Sequence, residues 1–252
     1  MAEYQKISDW TILKSEEDTA MVQHAKVGID NCVWHERYID DILLPYFLTG
    51  KRRTVIDIGS SYGWMAVSFA KHFDEVKCFE VREDIRDALK ENVSRFSNVE
   101  VFDCGVSSEE KYVRVNEKKV TGVTRIAQRR FSDTGAPIIG KDEYVIEKPQ
   151  HKNGILVRPL DSYNFENVDC IKLDIEDHEY YAILGAQETI KKWKPVLILE
   201  ISFIRKRHLS FFKPRQRIFK LLDDLDYQIA DIRGGDVIFT HKNLTHYDAL
   251  GL

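Results

Sequence analysis

Residues 54–64, Thr-Val-Ile-Asp-Ile-Gly-Ser-Ser-Tyr-Gly-Trp, constrain the fold more than any other stretch. The run Val55, Ile56, Ile58 is rich in strand formers and stops at Gly59. Apolar residues at helical spacing, Met65 and Phe69 with Val67 and Ala70 beside them, begin just past Gly63. The pattern is strand, tight turn, helix. Such a unit is expected to place backbone N–H groups and a helix start at the carboxyl end of a strand, with glycines letting a ligand approach the main chain.

Spacing narrows the ligand. A dinucleotide turn usually reads G-x-G-x-x-G, whereas here Asp57-x-Gly59-x-x-x-Gly63 puts Ser61 where a pyrophosphate needs its second glycine. An acid two residues before the glycine suits a cationic ligand instead, such as the α-ammonium of the amino-acid-like cofactor S-adenosylmethionine (SAM). A second apolar run, Val76, Cys78 and Phe79, ends at Glu80, where an acidic side chain can bind both ribose hydroxyls.

Composition bounds the rest. With 252 residues, of which 43% are hydrophobic, the chain can bury a sizeable core, and a formal net charge of −4 exerts no global pull toward nucleic acid or an anionic membrane. Cys32, Cys78, Cys104 and Cys170 form no C-x-x-C pair and read as reduced, mostly buried thiols. No apolar run approaches the roughly 20 residues of a membrane span, and the N-terminus lacks a secretory pattern, so the expectation is a soluble, cytoplasmic protein.

In chain order, residues 1–33 read as a surface extension covering part of the site, and residues 34–252 as one domain. A helix is expected over 34–48 and another over 82–96, the latter with Ile85, Leu89 and Val93 on one face. Val99 to Phe102 is a short strand leading into Asp103-Cys104-Gly105, where Asp103 serves either as an adenine ligand or as a turn former. Residues 107–157 break the rhythm with alternating valines, turn signals and many bases, and read as an inserted segment on the rim of the site.

Strands at 168–174 and 196–201 follow, with one helix between them carrying Ile183, Leu184, Ile190 and Trp193 and stopped by Pro195. An amphipathic helix and a hairpin split at Gly234-Gly235 close the chain. The predicted fold is α/β: a Rossmann-like, doubly wound, mostly parallel seven-stranded sheet with an antiparallel C-terminal strand pair. Ligands lie where the strand order of such sheets reverses, here between the first and fourth strands, so 59–63 should face 174–179.

The densest candidate for chemistry is Lys172-Leu-Asp174-Ile-Glu176-Asp177-His178-Glu179. So many ionisable groups at a strand end must line a polar cleft or face water. Capping by helix-start acids accounts equally for Asp177 and Glu179. His178 is the first choice of general base by its ordinary pKa, with Asp174 or Glu176 as alternatives. No metal site is assigned. Arg205 to Arg217 carries six Lys/Arg and no acid around Phe211 and Phe212, which suits an anionic or sugar acceptor, with Arg205, Arg207, Phe211, Phe212 and Arg215 as its ligands, or else a solvated basic loop.

The segments VIDIGSSYGW, CFEVRE, RPLDSY (158–163), IKLDIEDHEYYAILGA and VLILE resemble, in order from about Tyr38 to Thr240, the FkbM-type SAM-dependent methyltransferases. The resemblance implies O-methylation of a hydroxyl on a sugar or secondary metabolite. It assigns Asp57, Gly59, Ser60, Ser61, Gly63, Glu80 and Asp103 to SAM, with Trp64, Val81 and Cys104 beside them and Asp174 and Glu176 near the reacting methyl. The family pattern Asp-x-Glu-Gly-x-Glu departs here only in Asp177, which stands where glycine is expected; Asp tolerates left-handed backbone better than most residues. Two other functions fit the residues: ribose 2′-O-methylation of RNA, supported by the basic segments, and SAM binding without turnover. Oligomeric state is not readable.

Overall fold

In the computed structural model the described residues are 2–16, 20–26, 28, 39, 43–48, 50, 52–117, 124–126, 130, 131, 137, 138, 154–175, 178–201, 212–233 and 235–243. The chain opens with a hairpin, β1 (Tyr4–Ile7) and β2 (Trp10–Leu13), and two short helices, α1 (Ala20–Ala25) and α2 (Leu44–Tyr46). The alternating unit follows as β3 (Thr54–Ile58), α3 (Trp64–Ala70), β4 (Glu75–Phe79), α4 (Glu83–Val93) and β5 (Val99–Phe102).

Residues 105–158 hold β6 (Gly105–Val106), β7 (Lys111–Glu117), β8 (Thr124–Ile126), β9 (Arg130–Phe131), β10 (Pro137–Ile138) and β11 (Gly154–Arg158). Among these, β6, β11, β7 and β8 pair into a small separate sheet. The rhythm then resumes with β12 (Val168–Leu173), α5 (Glu179–Leu184), α6 (Gln187–Trp193), β13 (Val196–Glu200), α7 (Phe212–Asp224), β14 (Tyr227–Arg233) and β15 (Asp236–His241).

The main sheet runs β14-β15-β13-β12-β3-β4-β5, and every pairing is parallel except those of β15 with its two neighbours. This is the predicted seven-stranded, doubly wound α/β sheet with its reversal between β3 and β12. Strand alternation sorts the side chains into two cores. Val55, Cys78, Cys170, Ile198 and Ile238 face α3, α4 and the N-terminal hairpin. Ile56, Phe79, Ile171, Leu197 and Phe239 face the apolar sides of α5, α6 and α7.

Two expectations change. The N-terminal stretch is no surface element over β2, because Trp10 and Ile12 are fully buried in the α3/α4 core and Trp10 packs against Trp64 with the rings tilted and their centroids 4.1 Å apart. The single helix expected before Pro195 is two, broken at Gly185. A Cβ there would lie 1.9 Å from the Ser107 carbonyl oxygen, and the Gly185 carbonyl accepts the Asp161 N–H at 2.9 Å, so a neighbouring chain passes where a continuous helix would have its side chains. Residues 34–38 and 40–42 of the helix expected over 34–48 lie outside the described residues, as does Cys32; Cys78, Cys104 and Cys170 are free and buried. Among the described residues, no helix is long and apolar enough to cross a membrane.

Candidate active site

The carboxyl ends of β3, β4 and β12 converge because parallel register aligns them: Asp57 lies opposite both Lys172 and Cys78. The turn after β3 is held from all sides. Gly59 has φ +87°, and a side chain there would strike the Asp174 carbonyl oxygen at 2.0 Å, so only glycine lets the β3 and β12 ends cross this closely. Ser61, with φ +50°, is a non-glycine residue in left-handed backbone, and Gly63, with φ +94°, precedes α3.

Four N–H groups of this turn are spent inside the protein. Those of Gly59 and Ser60 both donate to the Phe79 carbonyl, at 2.9 and 3.1 Å, that of Ser61 to Glu80 Oε2 at 3.0 Å, and that of Gly63 to the Ser60 carbonyl at 2.9 Å. The expectation that the turn offers N–H groups to a ligand is corrected for these four residues, whose donors are taken.

What the turn presents is an acid. Asp57 is 1% exposed, and neither carboxylate oxygen has a hydrogen-bond donor among the described residues; the Ser60 hydroxyl donates instead to the Asp57 carbonyl at 2.7 Å. Burial pushes the Asp57 pKa up, while the Lys172 charge pulls it back. Glu80, also buried, accepts the N–H of Ser61 through one oxygen and that of Arg82, at 2.9 Å, through the other. Burial raises its pKa too, against those two backbone donors. Each oxygen keeps a lone pair for a further donor.

The remaining expected residues divide by place. Trp64 is buried at the first turn of α3, and Val81 is half-buried just after Glu80. Asp103 is exposed at the end of β5, whereas Cys104 is buried with its Sγ 2.7 Å from the Tyr163 hydroxyl. Asp174 follows β12 directly; its side chain is 40% exposed and its Oδ2 lies 3.1 Å from Lys172 Nζ. Glu176, Arg205, Arg207 and Phe211 lie outside the described residues, and Phe212 and Arg215 belong to the α7 backbone.

His178 is 4% exposed at the start of α5, its Nε2 is 3.1 Å from the Ser107 hydroxyl, and its ring stacks on Tyr181. Burial first, then the Lys111 charge, lowers its pKa to about 4, so the ring is neutral at ordinary pH. Among the described residues no group of three or more His, Cys, Asp or Glu side chains is placed to hold a metal ion.

Sequence reasoning missed two features. Lys172, in sequence only one member of an ionisable run, is buried beside Asp57 and Asp174. The alternation that puts residues 170, 172 and 174 on one face of a strand was a usable signal. The second is a brace on the turn. The Tyr62 hydroxyl donates to Glu16 Oε1 at 2.8 Å, both residues fully buried. Asn92 joins the hairpin to the turn, accepting the Thr11 N–H at 2.6 Å and donating to the carbonyls of Thr11 at 3.0 Å and Tyr62 at 2.9 Å.

A family described as the methyltransferase FkbM domain matches residues 70–229. Among solved structures, a methyltransferase FkbM from Methylobacillus flagellatus shares 20% identity over 87% of this chain and 54% of its own, with a TM-score of 0.46. The ribosomal protein L11 methylase of Lactobacillus delbrueckii shares 12% over 95% of this chain and 98% of its own, TM-score 0.46. Aeropyrum pernix fibrillarin, solved with natively bound S-adenosyl-L-methionine, shares 11% over 79% and 69%, TM-score 0.45. This chain thus spans about half the length of the Methylobacillus protein. No curated protein matches it.

Proposed function

Since the chain belongs to the FkbM methyltransferase family, we propose that it is a SAM-dependent O-methyltransferase acting on a hydroxyl of a small molecule, a sugar or secondary metabolite. The observation that carries the cofactor assignment is the turn after β3: the buried Asp57 carboxylate has no hydrogen-bond donor among the described residues, while the N–H groups of Gly59, Ser60, Ser61 and Gly63 are taken within the fold. A site with that inventory selects a cation over a phosphate. SAM would supply a methyl group on a cationic sulfonium next to an amino-acid end.

Each residue then has a role. Asp57 accepts the α-ammonium, Glu80 takes the ribose hydroxyls on its remaining lone pairs, and Asp103, with Val81 and Cys104 beside it, takes the adenine end. Gly59, Ser60, Ser61, Gly63 and Trp64 shape the wall. Asp174, partly exposed where the strand order reverses, receives the acceptor hydroxyl and its proton, with Glu176 beside it. His178 anchors α5 to Ser107 in this scheme rather than acting as the base, because its ring is buried. Arg205, Arg207, Phe211, Phe212 and Arg215 bind an anionic or sugar-bearing acceptor.

Calorimetry with S-adenosylhomocysteine tests the cofactor. The protein should bind it, Asp57→Asn should bind at least about tenfold more weakly, and nucleoside diphosphates should give no heat; tight binding of a dinucleotide instead would overturn the proposal. Release of S-adenosylhomocysteine with a hydroxylated acceptor tests the reaction, and charge reversal at Arg205, Arg207 and Arg215 should raise the acceptor KM. Salt-sensitive oligonucleotide binding would favour RNA as the acceptor, and cofactor binding with no turnover on any acceptor would favour a regulatory role.

A further inference from the structure

Lys172 sits in the middle of β12, 6% exposed, in a strand otherwise made of apolar residues, Cys170 and Asp169. A buried ammonium is costly unless charge compensates it. Here three carboxylates do so: Asp174, whose Oδ2 is 3.1 Å from Nζ, Asp57 at the facing position of β3, and Asp236 at the start of β15. The other titratable neighbours of Asp57 are Cys78 and Cys170, buried thiols whose pKa values burial and the Asp57 charge both push up, so they stay neutral.

Among the described residues Asp57 still has no hydrogen-bond donor on either carboxylate oxygen, although Lys172 faces it across the strand pair. A merely structural lysine would be expected to leave its acids paired. We infer that Lys172 is a positioning residue of the cofactor site, its ammonium holding Asp174 and balancing Asp57 across the strand pair so that the cleft recognises the α-ammonium end of its ligand. The inference rests on the cofactor reading above and adds the group that makes Asp57 competent. Burial alone drives Asp57 toward its neutral form, and a neutral acid gives an ammonium little to bind.

The test compares two probes, S-adenosylhomocysteine and 5′-methylthioadenosine, which share the sulfur nucleoside and differ in the amino-acid end. In the native protein the first should bind more tightly, and this preference should shrink as pH falls, because protonating Asp57 removes only the ammonium contact. Lys172→Met should cut the preference on the order of tenfold and shift its recovery to higher pH, leaving methylthioadenosine affinity nearly unchanged, while Lys172→Arg retains it.

Parallel loss of both probes, or an unchanged ratio, would show Lys172 to be structural only. Should the Met variant not fold, Lys172→Gln supplies the same ratio with a polar side chain of similar length. Native protein that binds neither probe overturns the cofactor reading and this inference together, whereas native binding of both with an unmoved ratio in the variants overturns the role of Lys172 alone.

Discussion

At the scale of single residues, the site depends on places where a side chain is absent or buried. Gly59 is the sharpest case: alanine there needs left-handed backbone and meets the Asp174 carbonyl at 2.0 Å. Gly59→Ala should cost roughly 1–3 kcal/mol from backbone strain alone and more from the clash, read as a lower urea midpoint together with lost S-adenosylhomocysteine binding. His178 gives a prediction of opposite character. Its folded pKa of about 4 lies below the ordinary 6.5, so unfolding takes up a proton between those values. Stability should hold above about pH 6.5 and fall as pH drops toward 4, and His178→Gln should flatten that fall in thermal melts across this range. Asp57, Gly59 and Glu80 were legible in the sequence because strand–turn–helix spacing alone locates them. The burial of His178 was not, since it depends on Ser107 coming in from the inserted region.

At the scale of elements, the turn after β3 is clamped between two supports. Glu80, just past β4, holds the N–H of Ser61, while Glu16, just after the N-terminal hairpin, and Asn92, on α4, hold Tyr62. Tyr62→Phe removes one hydrogen bond and leaves Glu16 with a desolvation cost, so it should destabilise by about 1–3 kcal/mol. Because the hydroxyl bonds Glu16 and makes no bond to Asp57, the ligand affinity of the folded fraction should fall less than in Asp57→Asn. Melting curves and calorimetry on the same variant separate the two effects. None of this brace was readable beforehand, as Glu16, Tyr62 and Asn92 are far apart in the chain and carry no shared period. The amphipathic pattern of α4 was readable because Ile85, Leu89 and Val93 recur on one face, while the break at Gly185 was not, because the cause is the Ser107 backbone passing beside it.

At the scale of the whole molecule, two cores sandwich one sheet, and Asp57 and Asp174 sit at the seam where strand order reverses. A ligand completing the charge around Asp57 should stabilise the entire domain: at a hundredfold excess over Kd the gain is about 2.7 kcal/mol, a rise in Tm of several degrees that Asp57→Asn should abolish. The sequence by itself determined the alternation of strands and helices, the position of the glycine turn and the acids at strand ends, because hydrophobic period and turn chemistry are local. Only the tertiary structure decided that the N–H groups of Gly59, Ser60, Ser61 and Gly63 are already used, that Lys172 lies opposite Asp57 and that the second strand of the N-terminal hairpin is core. Those are statements about which distant backbones lie within hydrogen-bonding or Coulombic reach, and distance between chain segments is set by packing rather than by spacing along the chain.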